Sequence, residues 1–124
     1  MRIGYGLFAL TLAACSGSTP TSYNGSPGGG STAASVSVIN TAYSPMDITI
    51  KMGTTITWTN DDQVGHTVTD DAGAFDASLK GGMMDPYGGT TGGGAFSHMY
   101  STVGSYMYHC KIHSTMHGTV NVTQ

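Results

Sequence analysis

The sequence predicts an all-β domain, an antiparallel Greek-key sandwich of seven or eight strands. Charged residues make up only 9% of the chain and glycine fills 19 of its 124 positions, a composition that disfavours a helical bundle. Beyond residue 34, apolar residues alternate with Ser and Thr at period two, and no segment shows the helical period of 3.6. Short segments rich in Gly, Asn and Asp separate the alternating runs, as turns do.

The predicted strands follow one another along the chain. Gly53 and the run Asn60-Asp61-Asp62 are typical of turns between them, and the Gly-rich segment 81–95 is predicted to be an exposed loop. The apolar positions and extended stretches that define the strands are Val36 and Val38, Ile48 and Ile50, Ile56 and Trp58, 64–68, 96–100, 106–110 and 119–123.

Composition and charge exclude two classes of function. The formal net charge is −3, with four Lys and Arg residues against seven Asp, so no basic patch is available to bind nucleic acid. A folded part of roughly 90 residues is too small for a cofactor enzyme with a separate substrate domain. We therefore expect one small domain that is not an enzyme, and a monomer.

The N-terminal segment has the pattern of a bacterial lipoprotein signal. Arg2 precedes an apolar run that is too short to span a bilayer, and Leu12-Ala13-Ala14-Cys15 resembles a lipobox. The sequence predicts a signal peptide over 1–14 and lipidation of Cys15, where two acyl chains would give stable anchoring. We expect the protein on the extracytoplasmic side of a membrane, in the periplasm or at the cell surface.

A flexible tether is predicted to follow the lipidated cysteine. Residues 16–34 are mostly Ser, Gly, Thr and Pro, with almost nothing to bury. The predicted organisation is therefore Cys15 and the linker over 15–34, and a folded domain over 35–124. If Cys15 carries lipid, Cys110 has no intramolecular disulfide partner, and a single thiol in an exported protein is commonly a metal ligand.

One short segment carries the chemistry. Cys110, His113 and Met116 follow a Cys-x2-His-x2-Met spacing between two predicted strands, and His66 lies upstream at a strand end. Two imidazoles, one thiolate and a thioether at longer distance form the ligand set of a blue-copper electron-transfer site. Thiolate and thioether favour Cu(I) while imidazole suits both oxidation states, so little rearrangement accompanies a one-electron change. His117, next to Met116, is the alternative fourth ligand.

Over the folded part, the sequence resembles type 1 blue copper proteins, the cupredoxins of the plastocyanin/amicyanin type. The similarity rests on segments 43–60, 65–68, 96–100 and 104–110, and the short spacing from Cys110 onward is closer to amicyanin. The resemblance implies one copper per chain, cycling between Cu(I) and Cu(II), and transient complexes with redox partner proteins. It implies that the strong ligands are His66, Cys110 and His113. It implies that the weak axial ligand is Met116.

The sequence departs from that family at three positions near the predicted ligands. Gly65 stands where Pro often precedes the first His, and Thr67 stands where an Asn often helps to hold the thiolate loop. Ile112 stands where Pro often occurs two residues after the Cys, and it keeps a backbone N–H that Pro lacks. We hypothesise that this N–H donates to the Cys110 sulfur and raises the reduction potential.

The predicted function is one-electron transport at the membrane. Four protein ligands leave no open position on the metal for a substrate, so we do not expect the metal to catalyse a reaction. An alternative is envelope copper delivery, storage or resistance, which predicts more than one copper per chain. A third reading is a surface adhesion module that uses no copper. The residues that support the alternative of copper delivery or storage, as candidate further copper ligands, are Met83, Met84, Met99, His98, His109 and His117.

Overall fold

A computed structural model describes residues 32–124, which form eleven strands and no helix. No element of that region is a helix of the length and hydropathy needed to cross a membrane. The predicted signal peptide, the lipidation of Cys15 and nearly all of the tether lie outside the described residues. The strands are β1 (Ala33–Ile39), β2 (Ala42–Ser44), β3 (Asp47–Lys51), β4 (Thr54–Asn60), β5 (His66–Asp70), β6 (Asp76–Leu79), β7 (Met83–Met84), β8 (Thr90–Thr91), β9 (Ala95–Tyr100), β10 (Gly104–His109) and β11 (His117–Thr123).

Two sheets form the sandwich. The first has the order β2-β1-β4-β9 and the second the order β3-β11-β10-β5-β6, while β7 and β8 make a separate hairpin. The predicted all-β sandwich is confirmed, but the sheets are mixed rather than purely antiparallel. Strand β1 pairs with β4, and β3 with β11, in parallel. Period-two alternation shows which side chains face inward and carries no information on strand direction, so the parallel pairs were not predicted.

The predicted count of seven or eight strands was wrong, and so was the assignment of 81–95 wholly to a loop. Three of the eleven strands, β2, β7 and β8, are two or three residues long. Such strands are too short to show an alternating pattern. The β7–β8 hairpin lies inside the Gly-rich segment, where Met83 pairs with Thr91 and Met84 with Thr90.

The core fills the space between the two sheets with the inward residues of both. In β4 the buried positions alternate strictly, so that Ile56, Trp58 and Asn60 all face inward. The Trp58 ring packs on Phe96, with ring centroids 5.9 Å apart, and meets Tyr108 edge-on at 5.4 Å. Strands such as β4 and β11 therefore contribute every second residue to the layer between the sheets.

Gly118 lies against the ring of Tyr108, close in sequence to the loop that carries Cys110. The two residues are paired in the β10–β11 register, and a Cβ at position 118 would lie 2.2 Å from the Tyr108 Cζ. Tyr108 cannot move aside because it is 1% exposed and meets Tyr43 edge-on, with ring centroids 4.7 Å apart. Only glycine therefore fits at position 118.

We predict that Gly118→Ala lowers the free energy of unfolding by about 1–3 kcal/mol, the usual cost of overpacking a filled site. Denaturant unfolding of the metal-free protein measures it. Gly65→Ala is the control, because its added Cβ would meet only the Leu79 carbonyl oxygen at an ordinary 3.6 Å. Equal stabilities of the two variants would contradict the packing described.

Candidate metal centre

The hairpin register of β10 and β11 brings Cys110 and Met116 together. His109 pairs with His117, so Cys110 and Met116 are the first and last residues of the connection between the strands. The Cys110 N–H donates to the Met116 carbonyl at 3.1 Å, and the Met116 N–H donates to the His113 carbonyl at 3.0 Å. Both Cys110 and Met116 are 2% exposed. The sandwich thus fixes both ends of the loop.

Strand β5 brings His66 to the same place. His66 is its first residue, and β5 is the neighbour of β10 in the second sheet. The His66 Nδ1 lies 3.1 Å from the His113 Nδ1, which lies 3.6 Å from the Cys110 Sγ. All three atoms lie within 4.8 Å of one another. Residues that are far apart in sequence therefore converge on one point at the end of the core.

This donor set fits a copper ion. With metal–ligand bonds of roughly 2.0–2.3 Å, two atoms bound to one ion lie no more than about 4.4 Å apart. Two of the three separations, 3.1 and 3.6 Å, meet that limit, and the third pair of donor atoms lies within 4.8 Å. A thiolate beside two imidazoles suits copper, because sulfur favours Cu(I) and imidazole nitrogen binds both oxidation states.

Thr67 joins strand β5 to the loop that carries Cys110. Its N–H donates to the Cys110 Sγ at 3.3 Å, and its Oγ1 accepts the Lys111 N–H at 2.9 Å. The Thr69 hydroxyl has one proton, which it donates to Asp76. In the 3.0 Å hydrogen bond between the Thr67 and Thr69 hydroxyls, the donor is therefore Thr67. Thr67 therefore holds the loop that carries the Cys110 thiolate.

The hydrogen-bond donors around the Cys110 sulfur set its ionisation. Burial opposes the thiolate, but the N–H of Thr67, the ring of His113 and the N–H groups of Ile112 and His113 outweigh burial and lower the pKa of Cys110 to about 7. A lowered pKa makes the thiolate, which is the metal-binding form, available near neutral pH.

Sequence reasoning missed Asn60, which shapes the approach to His66. Its Nδ2 donates to the carbonyls of Val64, Leu79 and Lys80 at 2.9–3.2 Å, and its Oδ1 accepts the Asp62 N–H at 2.9 Å. Asn60 is 1% exposed. A signal was present in the sequence, because Asn60 continues the inward phase of Ile56 and Trp58, and a buried amide needs partners.

Sequence reasoning also took Asp62 for an ordinary turn residue. The His66 Nε2 lies 2.9 Å from the Asp62 Oδ2, so the ring donates from Nε2 and leaves the Nδ1 lone pair facing Cys110 and His113. Partial burial acts to raise the pKa of Asp62, but the N–H of Thr41, the ring of His66 and the N–H of Asn40 together lower it. The carboxylate is therefore the form that meets His66.

The other candidate ligands lie apart from this cluster. His117 is exposed, and its Nε2 donates to the Ser114 carbonyl at 3.0 Å. His98 packs beside Phe75, with ring centroids 4.6 Å apart, and the His109 Nδ1 lies 2.5 Å from an oxygen of Asp71. Within residues 32–124, the histidine, cysteine and carboxylate side chains whose ligand atoms cluster closely enough to share a metal ion are His66, Cys110 and His113. The side chains of Met83 and Met84 are exposed on the β7–β8 hairpin.

Comparison with known proteins identifies a copper-binding family. Residues 31–123 match the family described as copper binding proteins, plastocyanin/azurin family. Amicyanin from Paracoccus denitrificans is 34% identical over 88 residues, and the match spans 70% of this chain and 63% of the length of that protein.

Solved structures show the same relationship. An amicyanin variant in the reduced state is similar with a TM-score of 0.57 and 34% identity, over 73% of this chain and 82% of that one. A purple cupredoxin from Nitrosopumilus maritimus is similar with a TM-score of 0.56 and 29% identity, over 73% of this chain and 99% of that one. The chain therefore belongs to the plastocyanin/azurin family of copper-binding proteins, and its cofactor is a single copper ion.

Proposed function

We propose that this protein carries single electrons, with His66, Cys110 and His113 as strong copper ligands and Met116 as the weak axial ligand. The observation that carries the proposal is the convergence of the three donor atoms within 4.8 Å of one another at the end of a packed core. Met116 supports it, because it is 2% exposed and is held by backbone hydrogen bonds to the loop of Cys110 and His113.

The chain's own hydrogen bonds favour a site that changes little between oxidation states. When bound, copper supplies a one-electron couple between Cu(I) and Cu(II). Thr67 holds the sulfur from one strand, and Asp62 holds the His66 ring from the far side. Ligands fixed in this way need little movement when the charge on the ion changes, and a small reorganisation makes electron transfer fast. Four protein ligands leave no open position for a substrate, so we expect no enzymatic activity.

The edge of the His113 ring is the expected route for the electron. His66 is 1% and Cys110 2% exposed, whereas His113 is half-buried and reaches solvent. Ile112 and Val64, each close in sequence to a ligand, are 60% and 50% exposed and add apolar surface. A small apolar surface of this kind suits the transient complexes that redox partner proteins form.

We further propose that the protein works on the outer side of a membrane, held there by lipid on Cys15. The Leu-Ala-Ala-Cys sequence supports lipidation, and the Ser- and Gly-rich segment 16–34 supports a tether between the lipid and strand β1. Its redox partners would then be proteins of the same membrane or of the adjoining compartment.

The test is to add one equivalent of Cu(II) to the mature chain without lipid, beginning at Ser16, and to record visible and EPR spectra. We predict an intense blue charge-transfer band and a narrow copper hyperfine splitting, because a thiolate binds the ion. Cys110→Ser is predicted to lose both signals. A pale, ordinary Cu(II) spectrum, or more than one bound copper, would contradict electron transport and favour copper delivery or storage.

We also predict that Ile112→Pro lowers the reduction potential by about 20 to 60 mV. The N–H of Ile112 contributes to lowering the pKa of Cys110, and proline removes that donor. A hydrogen bond worth about 0.5–1.5 kcal/mol converts to this range at 59 mV per tenfold change in a one-electron equilibrium. Ile112→Ala is the control in protein-film voltammetry, since it removes the exposed side chain and keeps the N–H. Equal potentials for the two variants would refute the hydrogen bond.

A further inference from the structure

We infer that Asp62 is a positioning residue that holds His66 in the orientation that binds copper, and that the turn between β1 and β2 holds Asp62 in place. The inference deepens the proposed function and rests on it, because it assigns an effect on the copper couple to residues that do not bind the ion.

The Asp62 carboxylate is fixed by three donors. Its Oδ1 accepts the Asn40 N–H at 3.0 Å, and its Oδ2 accepts the Thr41 N–H at 2.9 Å and the His66 Nε2–H at 2.9 Å. The Asp62 backbone is held as well, since its N–H donates to Asn60. The side chain of Asp62 is 18% exposed and that of His66 is 0% exposed. Rotation of the carboxylate would break all three of its hydrogen bonds.

The turn that supplies two of these donors adopts a costly conformation. Ile39 pairs with Ala42, so Asn40 and Thr41 alone connect β1 to β2, and their φ angles are +53° and +57°. Asn tolerates the left-handed region, but a β-branched residue such as Thr is disfavoured there. In this conformation both N–H groups donate to one carboxylate. Hydrogen bonds to a charged acceptor are the stronger kind and offset the cost of the turn.

The contact has a consequence for the ligand on its other side. A carboxylate that accepts the Nε2–H fixes the tautomer of His66, directs its Nδ1 toward Cys110 and His113, and makes the ring a stronger electron donor. Stronger donation stabilises Cu(II) more than Cu(I). Asp62 therefore acts to lower the reduction potential, whereas the N–H groups that donate to Cys110 act to raise it.

The chain offers a matched control in the adjacent residue. Asp61 has the same side chain, but its carboxylate accepts a hydrogen bond from Ser37 and makes no hydrogen bond to His66. Substitution of either aspartate by asparagine removes one charge at nearly the same place. A change seen with Asp62→Asn and not with Asp61→Asn is then due to the contact with His66 and not to the net charge.

The test compares Cu(II) affinity, Cu(I) affinity and reduction potential in the copper-loaded protein and in these two variants. Asp62→Asn is expected to bind Cu(II) about tenfold to hundredfold more weakly, the usual effect of removing such a partner, and to lose less affinity for Cu(I). The potential rises by 59 mV for each factor of ten by which the loss of Cu(II) affinity exceeds the loss of Cu(I) affinity. Asp61→Asn is expected to match the unsubstituted protein. Equal affinities and potentials in the two variants would overturn the inference.

A measurement on the unsubstituted protein keeps the inference testable if Asp62→Asn fails to fold. In the metal-free and Cu(I) forms, NMR should show a proton bonded to the Nε2 of His66, identified by its one-bond coupling to that nitrogen. This proton should exchange slowly with solvent. Rapid exchange, or a proton on Nδ1 in the Cu(I) form, would refute the role of Asp62. If the copper-loaded protein lacks the thiolate–copper spectrum while this proton is slow, the proposed function fails and the hydrogen bond stands.

Discussion

The hydrogen bond from the Thr67 N–H to the Cys110 sulfur, at 3.3 Å, is the contact on which the geometry of the metal centre depends. It joins the strand that begins with His66 to the loop that carries Cys110, His113 and Met116. The adjacent bond from the Lys111 N–H to the Thr67 hydroxyl fixes the next residue of the loop. Without this pair of bonds, three of the proposed ligands would lie on a loop held only at its ends, and the fourth would lie on a separate strand.

Two sets of hydrogen bonds act on the ligands in opposite directions. Backbone N–H groups around Cys110 draw electron density from the sulfur and favour Cu(I), whereas the Asp62 carboxylate adds donor strength to His66 and favours Cu(II). One set comes from β5 and the ligand loop, and the other from the β1–β2 turn in the opposite sheet. The potential of the copper couple is thus set by both halves of the sandwich.

The fold class could be predicted from the sequence, and the ligand loop could be proposed from it, because both rest on local signals. The spacing of Cys110, His113 and Met116 lies within one connection between strands, and period-two alternation reports which side chains face inward. Asp62 could not be assigned this way, because its partners at 40, 41 and 66 come together only when the sandwich closes. Asn60 was within reach, since its phase with Trp58 marks it as inward-facing. Strand direction and very short strands such as β7 depend on tertiary pairing and leave no periodic signal.

On this geometry, the chain holds its proposed copper ligands in place before the ion binds. The most direct test is a pair of crystal structures, of the metal-free and the copper-loaded protein, compared at His66, Cys110 and His113. We expect the same side-chain rotamers in both structures. We also expect the donor atoms to keep the separations of the metal-free form, which are 3.1 Å between the Nδ1 atoms of His66 and His113 and 3.6 Å between the His113 Nδ1 and the Cys110 Sγ. Donor atoms that move by more than about 1 Å on binding, or a loop that orders only with copper, would contradict it.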